Sequence, residues 1–130
     1  MTALLLIAHG SRREESNQEV RDLGQRLMQV AGERFESVVT AFLELAEPDI
    51  PGGVNRCVAT GATQVVAVPY FLAAGRHVIT DIPEQLDKAR RQHPGLDLRQ
   101  CDYLGRHDGI TEILLAIAQG SMFREEPPAT

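Results

Sequence analysis

The chain has 130 residues, a formal net charge of -5 and 43% hydrophobic residues. That length fits one domain able to bury about two-thirds of its unfolded surface, and the hydrophobic share excludes wholesale disorder. The acidic balance disfavours nonspecific nucleic-acid binding or adhesion to anionic membranes, and only 5% aromatics with no Trp leaves no base-stacking platform.

Strand-like and helix-like segments alternate along the chain. Leu4 to Ala8 is a continuous apolar run, as expected of a strand buried on both faces. It is short, lacks a preceding basic region and is followed by polar residues, so it reads as a strand and not as a signal peptide. Val20, Leu23, Leu27, Val30 and Ala31 then recur at helical spacing. Ser16-Asn17-Gln18-Glu19 resembles a capping box at the start of that helix.

Ser37 to Leu43 is rich in β-branched residues and reads as strand two. Pro48 and Pro51 introduce a helix through Val54, Cys57 and Val58, with Gly61 as its stop. Gln64 to Val68 is strand three. A helix capped by Asp81, with Pro83 in its first turn, continues through Leu86 and Ala89 and ends before Pro94-Gly95. Leu96 to Cys101 is strand four. Asp108 is placed to cap a last helix with Ile110, Ile113, Leu114 and Ile117 on one face and Gly120 at its end.

Four β-α units with short connections predict an α/β fold, a three-layer sandwich around a four-stranded parallel sheet. The most uniformly apolar strand belongs in the middle, which gives the order 2-1-3-4 and a topological switch point between strands one and three. Residues 1–120 form a single domain in this reading, and 121–130 a flexible C-terminal tail. Cys57 and Cys101 form no C-x-x-C pair and read as small buried hydrophobes in a reducing compartment. No run approaches the roughly 18 apolar residues of a membrane span. The expected location is therefore the cytoplasm, with no membrane and no nucleic-acid partner.

Two histidines carry the chemistry. His9 ends the first apolar run, and His77 follows the third in Pro69-Tyr70-Phe71-Leu72-Ala73-Ala74-Gly75-Arg76-His77. Both emerge beyond the carboxyl ends of strands that flank the switch point, where open sheets hold ligands. Neutral imidazole is the commonest protein metal ligand and also a base near neutral pH. Glu44, at the end of strand two with apolar neighbours, is expected to be more enclosed than Glu47 and to need a metal or cationic partner. Two histidines and a carboxylate suit exchangeable divalent iron, cobalt, nickel or zinc.

Arg12, Arg13 and Arg76 flank these histidines in an otherwise acidic chain and can grip a polyanion through bidentate pairs. Ser11 lacks a G-x-S-x-G elbow, and glycine-rich phosphate loops are absent. His93 is assigned to a helix dipole and His107 to a peripheral loop. A histidine phosphatase or mutase would also place His-Gly after its first strand, but its chemistry needs an Arg before the His, where this chain has Ala8.

Leu6-Ile7-Ala8-His9-Gly10-Ser11-Arg12, Phe42-Leu43-Glu44 through Pro48, and Pro69-Tyr70-Phe71-Leu72 through His77 and Asp81-Ile82-Pro83 together resemble the class II tetrapyrrole chelatases. The closer resemblance is to the short sirohydrochlorin chelatases of the CbiX/SirB type, over about Leu4 to Ile117. It implies a chelatase-like, flavodoxin-like half lobe. It also implies insertion of divalent Co2+, Fe2+ or Ni2+ into sirohydrochlorin, on the way to sirohaem or cobalamin.

On that resemblance His9 and His77 bind metal and act catalytically, with Glu44 as their acidic partner. Ser11, Arg12, Arg13 and Arg76 would face the substrate. Longer chelatases hold two such lobes in one chain, so by analogy two copies of this one form a homodimer. No permanent cofactor is expected, because the metal is a substrate. A non-catalytic metal or tetrapyrrole carrier is the standing alternative.

Overall fold

A computed structural model describes residues 1–121; the greater part of the expected tail lies outside the described residues. The sheet runs β2 (Ser37–Phe42), β1 (Thr2–Ala8), β3 (Gln64–Pro69), β4 (Asp97–Gln100), all parallel, in the order expected. Between them lie α1 (Glu14–Ala31), α2 (Ile50–Ala59) and α3 (Ile82–Gln92), and after β4 comes α4 (Gly109–Ala116). Leu6 pairs with Thr40 on one side and Val68 on the other, so β1 is central and buried throughout from Ala3.

Alternation along the strands assigns the two faces. Leu5, Ile7, Ala41, Val65, Ala67 and Leu98 point to the α2–α3 side. There they meet Ile50, Val54, Cys57, Ile82, Leu86 and Ala89 in the main core. Gly53 lets α2 approach this face closely: a Cβ there would lie 2.8 Å from that of Ala41 and 2.9 Å from Leu5. On the opposite face α1 packs over β2, with Gly24 against Thr40 and the Arg21 guanidinium 5.3 Å from the Phe42 ring centre.

Several helix starts differ from their sequence readings. α1 begins at Glu14, ahead of the Ser16–Glu19 box, and its Arg13 cap position has no side-chain cap. Ser16 and Glu19 therefore lie inside the helix, where Ser16 is not a cap position, so the box cannot form at that register. α2 is capped by Asp49, whose carboxylate accepts from the Gly52 amide at 2.8 Å. α3 is preceded by a wide helical turn, His77–Asp81, so Asp81 lies inside helical backbone and makes no cap bond.

At α4 the cap is not Asp108: the amide of Gly109 donates to His107 Nδ1 at 2.9 Å. The expected apolar face of this helix exists, but none of its residues is buried. Cys57 is buried, which pushes its thiol up to about 11, whereas Cys101 is exposed because β4 is an edge strand open on that side. Both cysteines are free. Among the described residues no helix is long and apolar enough to cross a membrane.

Candidate metal and tetrapyrrole site

The site forms where β1 ends. Its backbone pairing with β2 continues past the strands: Leu43 N donates to Ala8 O at 2.9 Å and Glu44 N to His9 O at 3.0 Å. Glu44 is thereby fixed beside His9, and its Oε1 lies 3.2 Å from His9 Nε2. Gly10 makes this approach possible. Its φ of +92° suits glycine, and a Cβ would sit 1.7 Å from the Glu44 carbonyl oxygen. Glu44 itself is exposed, like Glu47, because the chain bends back after Phe42 and leaves the carboxylate outside the core.

Asn17 holds the loop, and sequence reading missed it. Its Oδ1 accepts from Ser11 N at 2.9 Å, while its Nδ2 donates to Ser11 O at 2.8 Å and to Glu14 at 3.3 Å. It is the one buried polar or charged side chain among the described residues. A buried amide so fully paired locks the segment it grips. The signal was a polar residue on an otherwise apolar-facing helix position, hidden inside an apparent capping box. The Ser11 hydroxyl is also used within the chain, accepting from the Arg13 amide at 3.0 Å.

His77 reaches the same place from β3. Tyr70 N donates to Ile7 O at 2.7 Å, tying the end of β3 to β1 before the exposed stretch 72–76. The His77 and His9 ring centres are 4.7 Å apart, edge to face at 63°. On the following helical turn Asp81 Oδ2 lies 2.8 Å from His77 Nδ1. A carboxylate accepts, so Nδ1 carries the proton and Nε2 keeps its lone pair for a metal. His9 is oriented likewise: Nδ1 donates to the Gly10 carbonyl at 2.9 Å, which turns Nε2 toward Glu44.

The structure thus brings His9, His77 and Glu44 to one edge of the sheet. It does not close them into a cage: among the described residues no three His, Cys, Asp or Glu side chains surround a common point. Both imidazoles are half-exposed. The pocket beside His9, bounded by Asn17, Phe42 and Tyr70 among others, has a volume of about 240 Å³. That is below the roughly 300–1,000 Å³ of sites that enclose a ligand. One lobe supplies a wall rather than a chamber.

Arg12, Arg13 and Arg76 are exposed around this edge, Arg13 within 3.7 Å of Glu15. His107 lies at the root of α4. His93 Nε2 is 2.6 Å from Asn55 Oδ1, a link between the C-terminal end of α3 and the middle of α2.

The CbiX family model matches residues 3–119. A chloroplastic sirohydrochlorin ferrochelatase of Arabidopsis thaliana is 34% identical over 85% of this chain, which covers 48% of that protein. Among solved structures, a CbiX protein of cobalamin biosynthesis from Marinobacter aquaeolei superposes with a TM-score of 0.76 at 28% identity, covering 93% of this chain and 97% of that one. SirB from Bacillus subtilis with Fe3+ gives 0.82 at 25% identity, over 95% of this chain and 48% of SirB. The chain spans about half the length of the full-size chelatases it matches.

Proposed function

Because this chain belongs to the CbiX family, we propose that it is a sirohydrochlorin chelatase, inserting Co2+, Fe2+ or Ni2+ into sirohydrochlorin in sirohaem or cobalamin-type tetrapyrrole biosynthesis. The carrying observation is the pair of imidazoles 4.7 Å apart at the open edge of the sheet, with a carboxylate 3.2 Å from one of them. Two nitrogen donors hold a divalent ion without enclosing it, which suits an ion that must be handed on.

In this reading the Nε2 atoms of His9 and His77 present the ion to one face of the macrocycle. Insertion exchanges the two pyrrole protons for M2+. Glu44, beside His9 and in contact with solvent, takes those protons away. Arg12, Arg13 and Arg76 orient the peripheral carboxylates of the substrate. The shallow pocket supports a homodimer, in which a second copy supplies the opposing wall. The two free cysteines fit a reducing cytoplasm.

The test is anaerobic incubation of purified protein with sirohydrochlorin and each metal in turn, following the absorbance of the metallated product over several turnovers. Catalysed insertion by the wild type, lost in His9→Ala and His77→Ala, is the expected result. Binding of sirohydrochlorin without any acceleration would make the protein a carrier instead.

A further inference from the structure

Behind the His9 turn, α1 carries Glu14, Asn17 and Arg21 at spacings of three and four residues, which bring their side chains together on one face of the helix. Arg21 Nη1 donates to Glu14 Oε1 and, at 3.3 Å, to Gln18 Oε1. The other oxygen of the Glu14 carboxylate, Oε2, accepts from Asn17 Nδ2 at 3.3 Å. Arg21 first and Asn17 second hold the Glu14 carboxyl below the usual carboxylate range, so it is charged at neutral pH. Arg21 is the one cation between residues 14 and 25, a stretch that also holds Glu15, Glu19 and Asp22.

An exposed ion pair adds little to stability, and the Glu14 side chain is 70% exposed. Its consequence lies in orientation. As Asn17 stands, Oδ1 meets the Ser11 N–H while Nδ2 meets the Ser11 carbonyl and Glu14. Turned over, the amide oxygen would face the carboxylate and the carbonyl, and the NH2 would face an N–H. A charged Glu14 therefore selects the one orientation in which all three bonds form.

Arg21 also reaches the strand that carries Glu44. Its guanidinium lies 5.3 Å from the Phe42 ring centre, within cation–π range. Phe42 is fully buried two residues before Glu44, and it underlies the His9 turn: a Cβ on Gly10 would sit 3.4 Å from that of Phe42.

We propose that Arg21 is a positioning residue that sets His9 against Glu44, holding the Asn17 amide in one orientation through Glu14 and the Phe42 ring directly. It touches neither metal nor substrate. One guanidinium thereby braces both members of the pair whose Nε2–Oε1 separation is 3.2 Å. The effect on metal insertion rests on the chelatase reading, whereas the placement of His9 does not.

Arg21→Met keeps an apolar stem over Phe42 and removes the cation, and Arg21→Lys restores a charge. In Arg21→Met the nitrogen-15 shifts of His9 are expected to move toward a mixture of tautomers while those of His77 stay. Co2+ affinity should fall roughly 3- to 10-fold, less than the ~10–100-fold lost with a ligand's direct hydrogen-bond partner. Arg21→Lys should recover most of that loss. Added to Asn17→Ala, Arg21→Met should cost less affinity than it does alone, because the two act through one connection. A lowered unfolding midpoint with wild-type His9 shifts and Co2+ affinity would make Arg21 merely structural and overturn the proposal. Should Arg21→Met not fold, Glu14→Gln on the exposed first turn is read the same way: a smaller shift of His9 is expected, and none would overturn it.

Multiple-turnover insertion separates the two readings. Under both, Arg21→Met lowers kcat and leaves KM for sirohydrochlorin unchanged. A wild type that inserts no metal, with His9 still released in Arg21→Met, would remove the chelatase reading and keep the placement. A wild type that turns over, matched by Arg21→Met in rate, shifts and affinity, would do the reverse.

Discussion

The two histidines reach their meeting point by opposite means. His9 is an extension of the sheet: it follows the buried β1 directly, its neighbour Gly10 sits against the Glu44 carbonyl, and Asn17 clamps the next residue from α1. His77 arrives after an exposed stretch, on a helical turn, and is steadied by one carboxylate four residues on. One arm is held by backbone and a buried amide, the other by a single half-exposed side-chain contact. A metal that must be bound and then released is well served by one fixed ligand and one held more lightly.

The largest effect should come from removing either ligand. His9→Ala and His77→Ala are each expected to lower the metal insertion rate by about 100-fold or more, the scale of a lost positioned acid–base or ligand group. Both side chains are half-exposed, so thermal unfolding should barely change. Wild-type rates in either variant would remove that imidazole from the mechanism.

Next in size is the support of the lighter arm. Asp81→Ala is expected to weaken Co2+ binding by about 10- to 100-fold, the usual consequence of losing a ligand's hydrogen-bond partner. Asp81→Asn keeps an acceptor for Nδ1–H and should lose less. Nitrogen-15 chemical shifts of His77 would show the proton leaving Nδ1 in the alanine variant only. Identical affinity and shifts in both would mean that Asp81 does not orient the ring.

The fixed arm should fail differently. Asn17→Ala leaves the Ser11 amide and carbonyl without their partner, a cost of about 1–3 kcal/mol that urea unfolding would read. Insertion should slow in parallel while His77 is undisturbed. Stability equal to wild type would show that the loop does not need this clamp. The smallest effect belongs to the rim: Arg76→Ala should weaken sirohydrochlorin binding a few-fold, about 1 kcal/mol or less for an exposed charge pair. Metal affinity should not move. The reverse pattern would deny Arg76 its orienting role.

These differences mirror what could be read from the sequence. The apolar run of β1 and the β-branched runs around it dictate a central strand and the order 2-1-3-4, and topology then brings His9 and His77 together. That inference needs only periodicity and handedness. Asp81 looked like a helix cap because Asp before Ile-Pro usually is one; only the wide turn starting at His77 reveals it as an imidazole partner. Asn17 was hidden because two of its three bonds run to Ser11 in the loop ahead of the helix, a partner that no capping pattern announces. Glu44 was expected to be enclosed from its apolar neighbours, but Leu43 is partly buried, Leu45 is exposed, and the bend between them turns the carboxylate outward. The bare flank of α4 was illegible for a plainer reason: an apolar stripe announces a need for burial, not what will bury it.

The central claim is that His9 and His77 hold one divalent ion between them. Crystals soaked in Co2+ and measured at the cobalt absorption edge test this most directly. The account predicts an anomalous peak within about 2.0–2.2 Å of both Nε2 atoms, close to Glu44. A peak at His93 or His107 with none at the sheet edge would contradict it.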